Sequence, residues 1–183
     1  MRIIAGEYRS RRIETPAGMN TRPTLDKVRE AVFSVLGGSF EGGAFLDLYA
    51  GSGANGLEAL SRGMDSAVFV DKDRRAISAI RNNIESLQCR ERTSVLCMAD
   101  TKALQLLRDE NRKFSVIYLD PPYAKQKNEQ ILQMINDYDL LEKDGWAVIE
   151  SLKEDTFTKE YEHLVFEKDR IYGISRITYY RGR

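Results

Sequence analysis

Apolar residues fall into two alternating patterns along this 183-residue chain. Short, mainly apolar runs at Phe45–Leu48, Ala67–Val70, Ser94–Met98, Val116–Leu119 and Trp146–Ile149 have the length of buried strands. Between them the apolar positions recur at helical spacing. Thr24 is placed to cap a helix whose apolar face is Leu25, Val28, Val32, Val35 and Leu36, with Gly37 and Gly38 as its stop. A short helix through Leu57 and Leu60 ends near Gly63. Asp73 caps a helix carrying Ile77, Ile80, Ile84 and Leu87. Further helices carry Leu104 and Leu107, and Ile131 to Ile135. Repeated strand–helix units predict an α/β fold, a doubly wound and mainly parallel sheet with helices on both faces. Leu164–Ile171 and Ile174–Tyr180 follow without a helix between them, joined at Gly173, which predicts an antiparallel hairpin at one edge and seven strands in all. The first residues read differently. Residues 2–14 form a hairpin pattern turning near Gly6–Ser10, and Thr15–Thr24 is a loop with Pro16, Gly18 and Pro23. Residues 1–24 are therefore expected to be a small extension on a domain spanning 25–183.

Charge sharpens that division. Basic and acidic side chains balance at 28 each, which disfavours a protein that coats nucleic acid indiscriminately. The balance is local, however. Residues 1–29 hold seven basic and three acidic side chains, and residues 168–183 hold five and one. Two basic ends around an acidic middle suggest a phosphate-binding rim, although a solvated face gives the same pattern. Cys89 and Cys97 show neither metal-ligand spacing nor a disulfide framework. The start, Met1-Arg2-Ile3-Ile4, lacks a signal-peptide pattern, and no apolar run approaches the ~20 residues that span a bilayer. These features predict a cytoplasmic protein with no membrane or metal partner, a monomer by default.

Candidate chemistry collects where strands end. Ser115–Leu119 is followed by Asp120-Pro121-Pro122-Tyr123, and the prolines stop the strand abruptly. Open α/β sheets bind ligands at this edge. Asp120 and the Pro121 carbonyl can accept hydrogen bonds from an amino group, and Tyr123 can stack on the ring that bears it. Gly51, Gly53 and Gly56 match G-x-G-x-x-G, a pattern shared by dinucleotide sites and ordinary tight turns. Asp47, four residues before Gly51, would repel a pyrophosphate but attract an ammonium group, as in the methionine end of S-adenosylmethionine. A turn or cap role for Asp47 is the alternative. Asp71, after the next strand, suits ribose hydroxyls in either an S-adenosylmethionine or a nicotinamide site. Asp100 suits an adenine amino group lined by Met98 or Ala99, or else a helix cap.

With those segments in place, the chain resembles the class I S-adenosylmethionine-dependent methyltransferases. More narrowly it resembles the RsmD family, which methylates the N2 amine of a guanine in bacterial 16S ribosomal RNA. The likeness runs over nearly the whole chain. It rests on Arg2–Arg12, Asn20–Thr24, Val28–Phe33, Leu46–Gly53, Gly56–Gly63, Val70–Asp73 and Asp120–Tyr123. Asn55 and Asp71 depart from the family pattern, where an aliphatic residue and a glutamate are usual. The resemblance implies a Rossmann-like methyltransferase sheet and S-adenosylmethionine as cofactor, with S-adenosylhomocysteine as product. It implies cofactor contacts by Asp47, Tyr49, Gly51, Gly53, Asp71, Lys72, Asp100, Thr101 and Asp120. Asp120, Pro121 and Tyr123 would serve catalysis. RNA contacts would come from Arg9, Arg11 and Arg12, with Arg2, Arg22, Thr24, Arg29 and Lys125 behind them. Arg22 and Thr24 could instead close over the cofactor, and Lys125 could be a solvated loop lysine. The partner implied is 16S ribosomal RNA within a small-subunit particle that carries ribosomal proteins.

Asp-Pro-Pro-Tyr also suits an adenine-N6 methyltransferase acting on DNA or RNA. A DNA enzyme usually adds a sequence-reading domain, for which 183 residues leave no room. A non-catalytic RNA-binding assembly factor on the same fold, and more distantly a nicotinamide-dependent oxidoreductase, complete the alternatives.

Overall fold

The computed structural model describes residues 1–19 and 23–183, apart from the side chains of Pro23 and Thr24. Seven strands form one sheet: β1 Ala44–Asp47, β2 Ser66–Asp71, β3 Thr93–Cys97, β4 Phe114–Leu119, β5 Leu141–Leu152, β6 Leu164–Tyr172 and β7 Ser175–Gly182. The helices are α1 Pro23–Val35, α2 Ala54–Ser61, α3 Arg74–Leu87, α4 Asp100–Asp109 and α5 Asn128–Asp137. The strand order is β3-β2-β1-β4-β5-β7-β6. Strands β1 to β5 pair in parallel, while β7 runs antiparallel to both β5 and β6. The expected hairpin therefore forms at one edge of the sheet, with its second strand next to β5 and β6 outermost. Gly173 makes its turn at φ 60°.

Strands buried on both faces explain the near-continuous apolar runs. On one face Phe45, Phe69, Val116, Tyr118 and Val148 meet the apolar sides of α1, α2 and α3. On the other, Leu46, Val68, Ile117, Leu119 and Ile149 meet α4 and α5. The two-residue period of each strand assigns its side chains between these layers. Gly56 lets α2 close on the sheet, since a Cβ there would lie 2.4 Å from the Phe69 ring.

The helix starts refine the sequence reading. Asp73 caps α3 as expected, accepting the Arg75 N–H at 2.8 Å. Thr24 does not cap α1, because the helix already begins at Pro23, a residue suited to the first helical position. Leu25 is not part of the buried face of α1; it is 40% exposed.

Residues 2–14 turn back on themselves through a single antiparallel bridge, Arg2 to Arg12. Ile3, Tyr8 and Ile13 insert into the core against α1 to α3. Glu58 of α2 fixes this segment. Its fully buried carboxylate accepts the Ile4 and Ala5 N–H groups at 2.9 and 3.1 Å and the Arg62 Nε at 2.8 Å. Arg29 Nε lies 3.6 Å from the same carboxylate. Ser61 adds to the joint by accepting the Tyr8 N–H and donating to the Ala5 carbonyl. Glu58→Ala strips two part-buried N–H groups and Arg62 Nε of their acceptor and removes the buried charge beside Arg29. It should cost about 3–5 kcal/mol of unfolding free energy and open residues 1–14 to limited proteolysis before global unfolding. Unchanged denaturant midpoints would contradict this role.

Candidate active site

The parallel register places acidic side chains at the strand ends. Asp47 pairs with Phe69 on β2 and with Tyr118 on β4, and Leu119 pairs with Ile149 on β5. Phe69, Phe45, Tyr118 and Val148 all face the α1–α3 layer. Two residues further along each strand stand Asp71, Asp47, Asp120 and Glu150. Four neighbouring strands thus carry a carboxylate at or near this edge, all on the same side of the sheet. This is also the C-terminal edge, where the glycine turn opens between β1 and α2.

A cavity of about 750 Å³ lies at this edge. Tyr49, Gly51, Asp71, Lys72, Asp100, Asp120, Pro121, Tyr123 and Lys125 line it, so most of the expected site residues share one space. Met98 and Ala99 supply an apolar wall. Asp71 accepts the Gly51 N–H at 3.0 Å and the Asp73 N–H at 2.9 Å, which fixes its carboxylate at the rim of the turn. Asp100 is the first residue of α4 rather than its cap. It accepts from the Tyr49 hydroxyl at 2.8 Å and from Thr101 N–H at 2.7 Å, and it pairs with Lys127 at 3.0 Å. Burial opposes its charge, but the bonds from Tyr49, Lys127 and Thr101 outweigh that and hold its carboxyl below the ordinary range. The Tyr123 hydroxyl bonds to Ser175 Oγ of β7 at 2.9 Å, which ties the ring to the sheet.

Several expected contacts lie elsewhere. Asp47 is 1% exposed and is not part of the cavity wall. Its Oδ2 accepts the Gly56 N–H at 3.1 Å beneath the turn, so its charge can act on the cavity only through the protein. Gly53 faces Ile80 and Phe69, where a Cβ would sit at 3.3 Å; it serves packing rather than the wall. Thr101 points its N–H at Asp100 and does not line the cavity. Arg29 lines the cavity but is only 4% exposed, held by Asp26, Glu58 and the Arg2 carbonyl, so it offers nothing to an external phosphate. Arg2, Arg9, Arg11 and Arg12 are exposed, and so is Lys125. Arg22 lies outside the described residues, as does the side chain of Thr24.

Glu150 is the residue that sequence reasoning missed. It follows the apolar run Trp146–Ile149 just as Asp47, Asp71 and Asp120 follow or close theirs, so the same rule would have found it. It is 7% exposed, lines the cavity and accepts from the Tyr118 hydroxyl at 3.3 Å. Met1, Met19 and Leu25 also reach the cavity from the N-terminal side, with no motif to announce them.

Crowding these groups has an electrostatic cost. Burial pushes the Asp47 carboxyl up to about 7, with Asp71 adding to the effect and the Gly56 N–H opposing it. Burial, then the charges of Glu150 and Asp47, hold Asp120 well above the ordinary carboxyl range. Burial raises Glu150 as well, against the bond from Tyr118. Two wall carboxylates that burial destabilises, Asp120 and Glu150, favour a cationic ligand. Among the described residues no group of three His, Cys, Asp or Glu side chains could hold a metal ion, and no helix is long and apolar enough to cross a membrane.

This sheet order, with its ligand-sized cavity at the C-terminal edge, is the methyltransferase fold. The solved Escherichia coli protein yhhF, provisionally described as a methyltransferase, matches it with a TM-score of 0.84 and 27% identity, over 100% of this chain and 98% of that one. The chain belongs to the RsmD family, matching the family described as Conserved hypothetical protein 95 over residues 1–181. It is 38% identical to Bacillus subtilis YlbH, provisionally named an rRNA methyltransferase, over 100% of both chains. It is 32% identical to the ribosomal RNA small subunit methyltransferase D of Escherichia coli K12, over 83% of this chain and 72% of that protein.

The raised Asp47 carboxyl has a sign that can be checked. A carboxyl whose folded-state pKa lies above its unfolded value stabilises the fold below pH ~4 and loses that contribution as pH rises through about 7. Asp47→Asn keeps an acceptor for Gly56 N–H and removes the charge. Its ligand-free melting temperature relative to wild type should rise by several degrees between pH 5 and pH 8. A constant difference across that range would contradict the burial of a strained charge at this position.

Proposed function

We propose that the protein transfers a methyl group from S-adenosylmethionine to the N2 amine of a guanine in small-subunit ribosomal RNA, within a particle that carries ribosomal proteins. The observation that carries this reading is one cavity walled by two sets of groups. Asp71, Met98, Ala99 and Asp100 suit an adenosine, and Asp120, Pro121 and Tyr123 suit an amine on a flat ring. The donor set fits the cofactor: a rim carboxylate for ribose hydroxyls, an apolar wall for adenine, and the carboxylates at the strand ends for a positively charged methionine end. When bound, that group supplies a methyl already activated on a sulfonium.

The chain's own residues do the rest. The Asp120 carboxylate and the Pro121 carbonyl accept hydrogen bonds from the amine. Its lone pair, otherwise delocalised into the ring, is thereby localised on nitrogen. Tyr123, held through its hydroxyl by Ser175, stacks on a base turned out of its surroundings. Fixing the amine in line with the methyl group provides proximity and orientation. Asp120 also offsets the positive charge that grows on nitrogen. Exposed Arg2, Arg9, Arg11 and Arg12 on the clamped N-terminal segment, with Lys125 at the rim, suit contacts to RNA phosphates. The relatives named for small-subunit RNA favour that substrate over DNA.

Purified protein, labelled S-adenosylmethionine and small ribosomal subunits lacking the modification should yield N2-methylguanosine by nucleoside mass analysis. Labelling of duplex DNA alone would overturn the reading. Asp120→Ala should lower kcat roughly 10²–10⁴-fold with little change in cofactor affinity. Replacing Arg9, Arg11 and Arg12 together by Ala should weaken RNA binding and flatten its salt dependence by roughly 0.7–0.9 log units per lost phosphate contact. An unchanged salt slope would remove these arginines from the interface.

A further inference from the structure

Glu150 presents a buried carboxylate to the cavity with no stated task. Its position is fixed by register: Leu119 of β4 pairs with Ile149 of β5, so Asp120 and Glu150 are the next residues on adjacent strands. The Tyr118 hydroxyl occupies its Oε2 at 3.3 Å, and among the described residues no other donor and no cation pairs with it. Its Oε1 is left for whatever enters beside Asp120. A carboxylate 7% exposed and lacking a counter-ion is costly to keep unless a ligand completes it.

We propose that Glu150 is the specificity-determining residue for the base, accepting the N1–H of guanine next to the amine that Asp120 and the Pro121 carbonyl accept. The inference rests on the methyl-transfer reading above and deepens it. Guanine presents three hydrogens side by side, one on N1 and two on N2. Three acceptors stand at this end of the cavity: the Glu150 carboxylate, the Asp120 carboxylate and the Pro121 carbonyl. Adenine presents two hydrogens on N6 beside an N1 lone pair, which would face the Glu150 oxygen with no proton between them. A buried acceptor left facing a lone pair rejects a ligand far more strongly than a missing apolar contact does. Burial raises the Glu150 carboxyl against the bond from Tyr118, and a row of N–H donors favours its charged, accepting form. Asp-Pro-Pro-Tyr serves any such amine, and Glu150 would restrict it to guanine.

The test keeps the reacting amine and changes only N1. 2-Aminopurine carries the same exocyclic 2-amine but has a lone pair at N1. Small ribosomal subunits are reassembled with ribosomal RNA carrying guanine or 2-aminopurine at the methylated position, and kcat/KM is measured for each. Wild-type protein should use 2-aminopurine roughly 100-fold less well than guanine. Glu150→Gln, whose amide can donate to N1, should lose about 100-fold on guanine and little on 2-aminopurine, bringing the two within a few-fold. Glu150→Asp keeps the carboxylate and should retain the guanine preference at a lower rate. Equal use of both bases by wild type, which needs no variant, overturns the proposal, as does a Glu150→Gln gap equal to that of wild type. Methylation of neither base at N2 would instead remove the reaction itself, and the proposal with it.

Discussion

Parallel pairing in strict register is the constraint on which the site depends. Because side chains alternate along a strand, pairing Asp47 with Phe69 and Tyr118, and Leu119 with Ile149, fixes where each strand-end carboxylate emerges. A slip of one residue in β4 would send Asp120 into the α4–α5 layer and leave Leu119 at the cavity. The large apolar residues of both layers prevent that slip: Phe45, Phe69 and Tyr118 on one side, Leu46, Ile117 and Leu119 on the other. The core is thus what holds mutually repelling acids together. Burial disfavours the charged form of Asp120 and Glu150 until a positive charge arrives, so the geometry that gathers them also selects the ligand.

The N-terminal segment joins this arrangement through charge of the opposite sign. Its apolar residues Ile3, Tyr8 and Ile13 enter the core, and Glu58 grips its backbone from inside α2. Its arginines divide accordingly. Those on the hairpin turn outward, while Arg29 on α1 is spent inside against Glu58 and Asp26. Charge counted along the sequence could not separate these, because a buried ion pair and a solvated rim contribute identically to the sum.

The alternation of strand runs and helical spacing made the sheet, its order of elements and the Asp73 cap legible, since period and turn chemistry are local properties. Which strand of the edge hairpin lies outermost was not, because a hairpin looks the same in sequence whichever of its strands pairs with the rest of the sheet. Among residues that line the cavity, Asp71, Asp100 and Asp120 were readable from their places at or just after strands, and Tyr123 from the Asp-Pro-Pro-Tyr run. Asp47 and Gly53 carried the right motif but face inward: the Asp47 carboxylate is covered by the turn whose Gly56 N–H it accepts, and Gly53 packs against Ile80 and Phe69. Thr101 came with the family resemblance, yet it does not line the cavity. Glu150 obeyed the strand-end rule with no proline or glycine beside it to draw attention.

If burial holds Asp47, Asp120 and Glu150 above the ordinary carboxyl range, a cation entering the cavity must drive protons off them. Calorimetric titration of the protein with S-adenosylmethionine near pH 7, repeated in two buffers of different ionisation enthalpy, counts those protons directly. Net release of protons on binding, diminishing as pH rises above the raised carboxyl range, is the predicted result. Binding with no proton release, or with uptake, would contradict the view that repelling carboxylates aligned by strand register select the ligand.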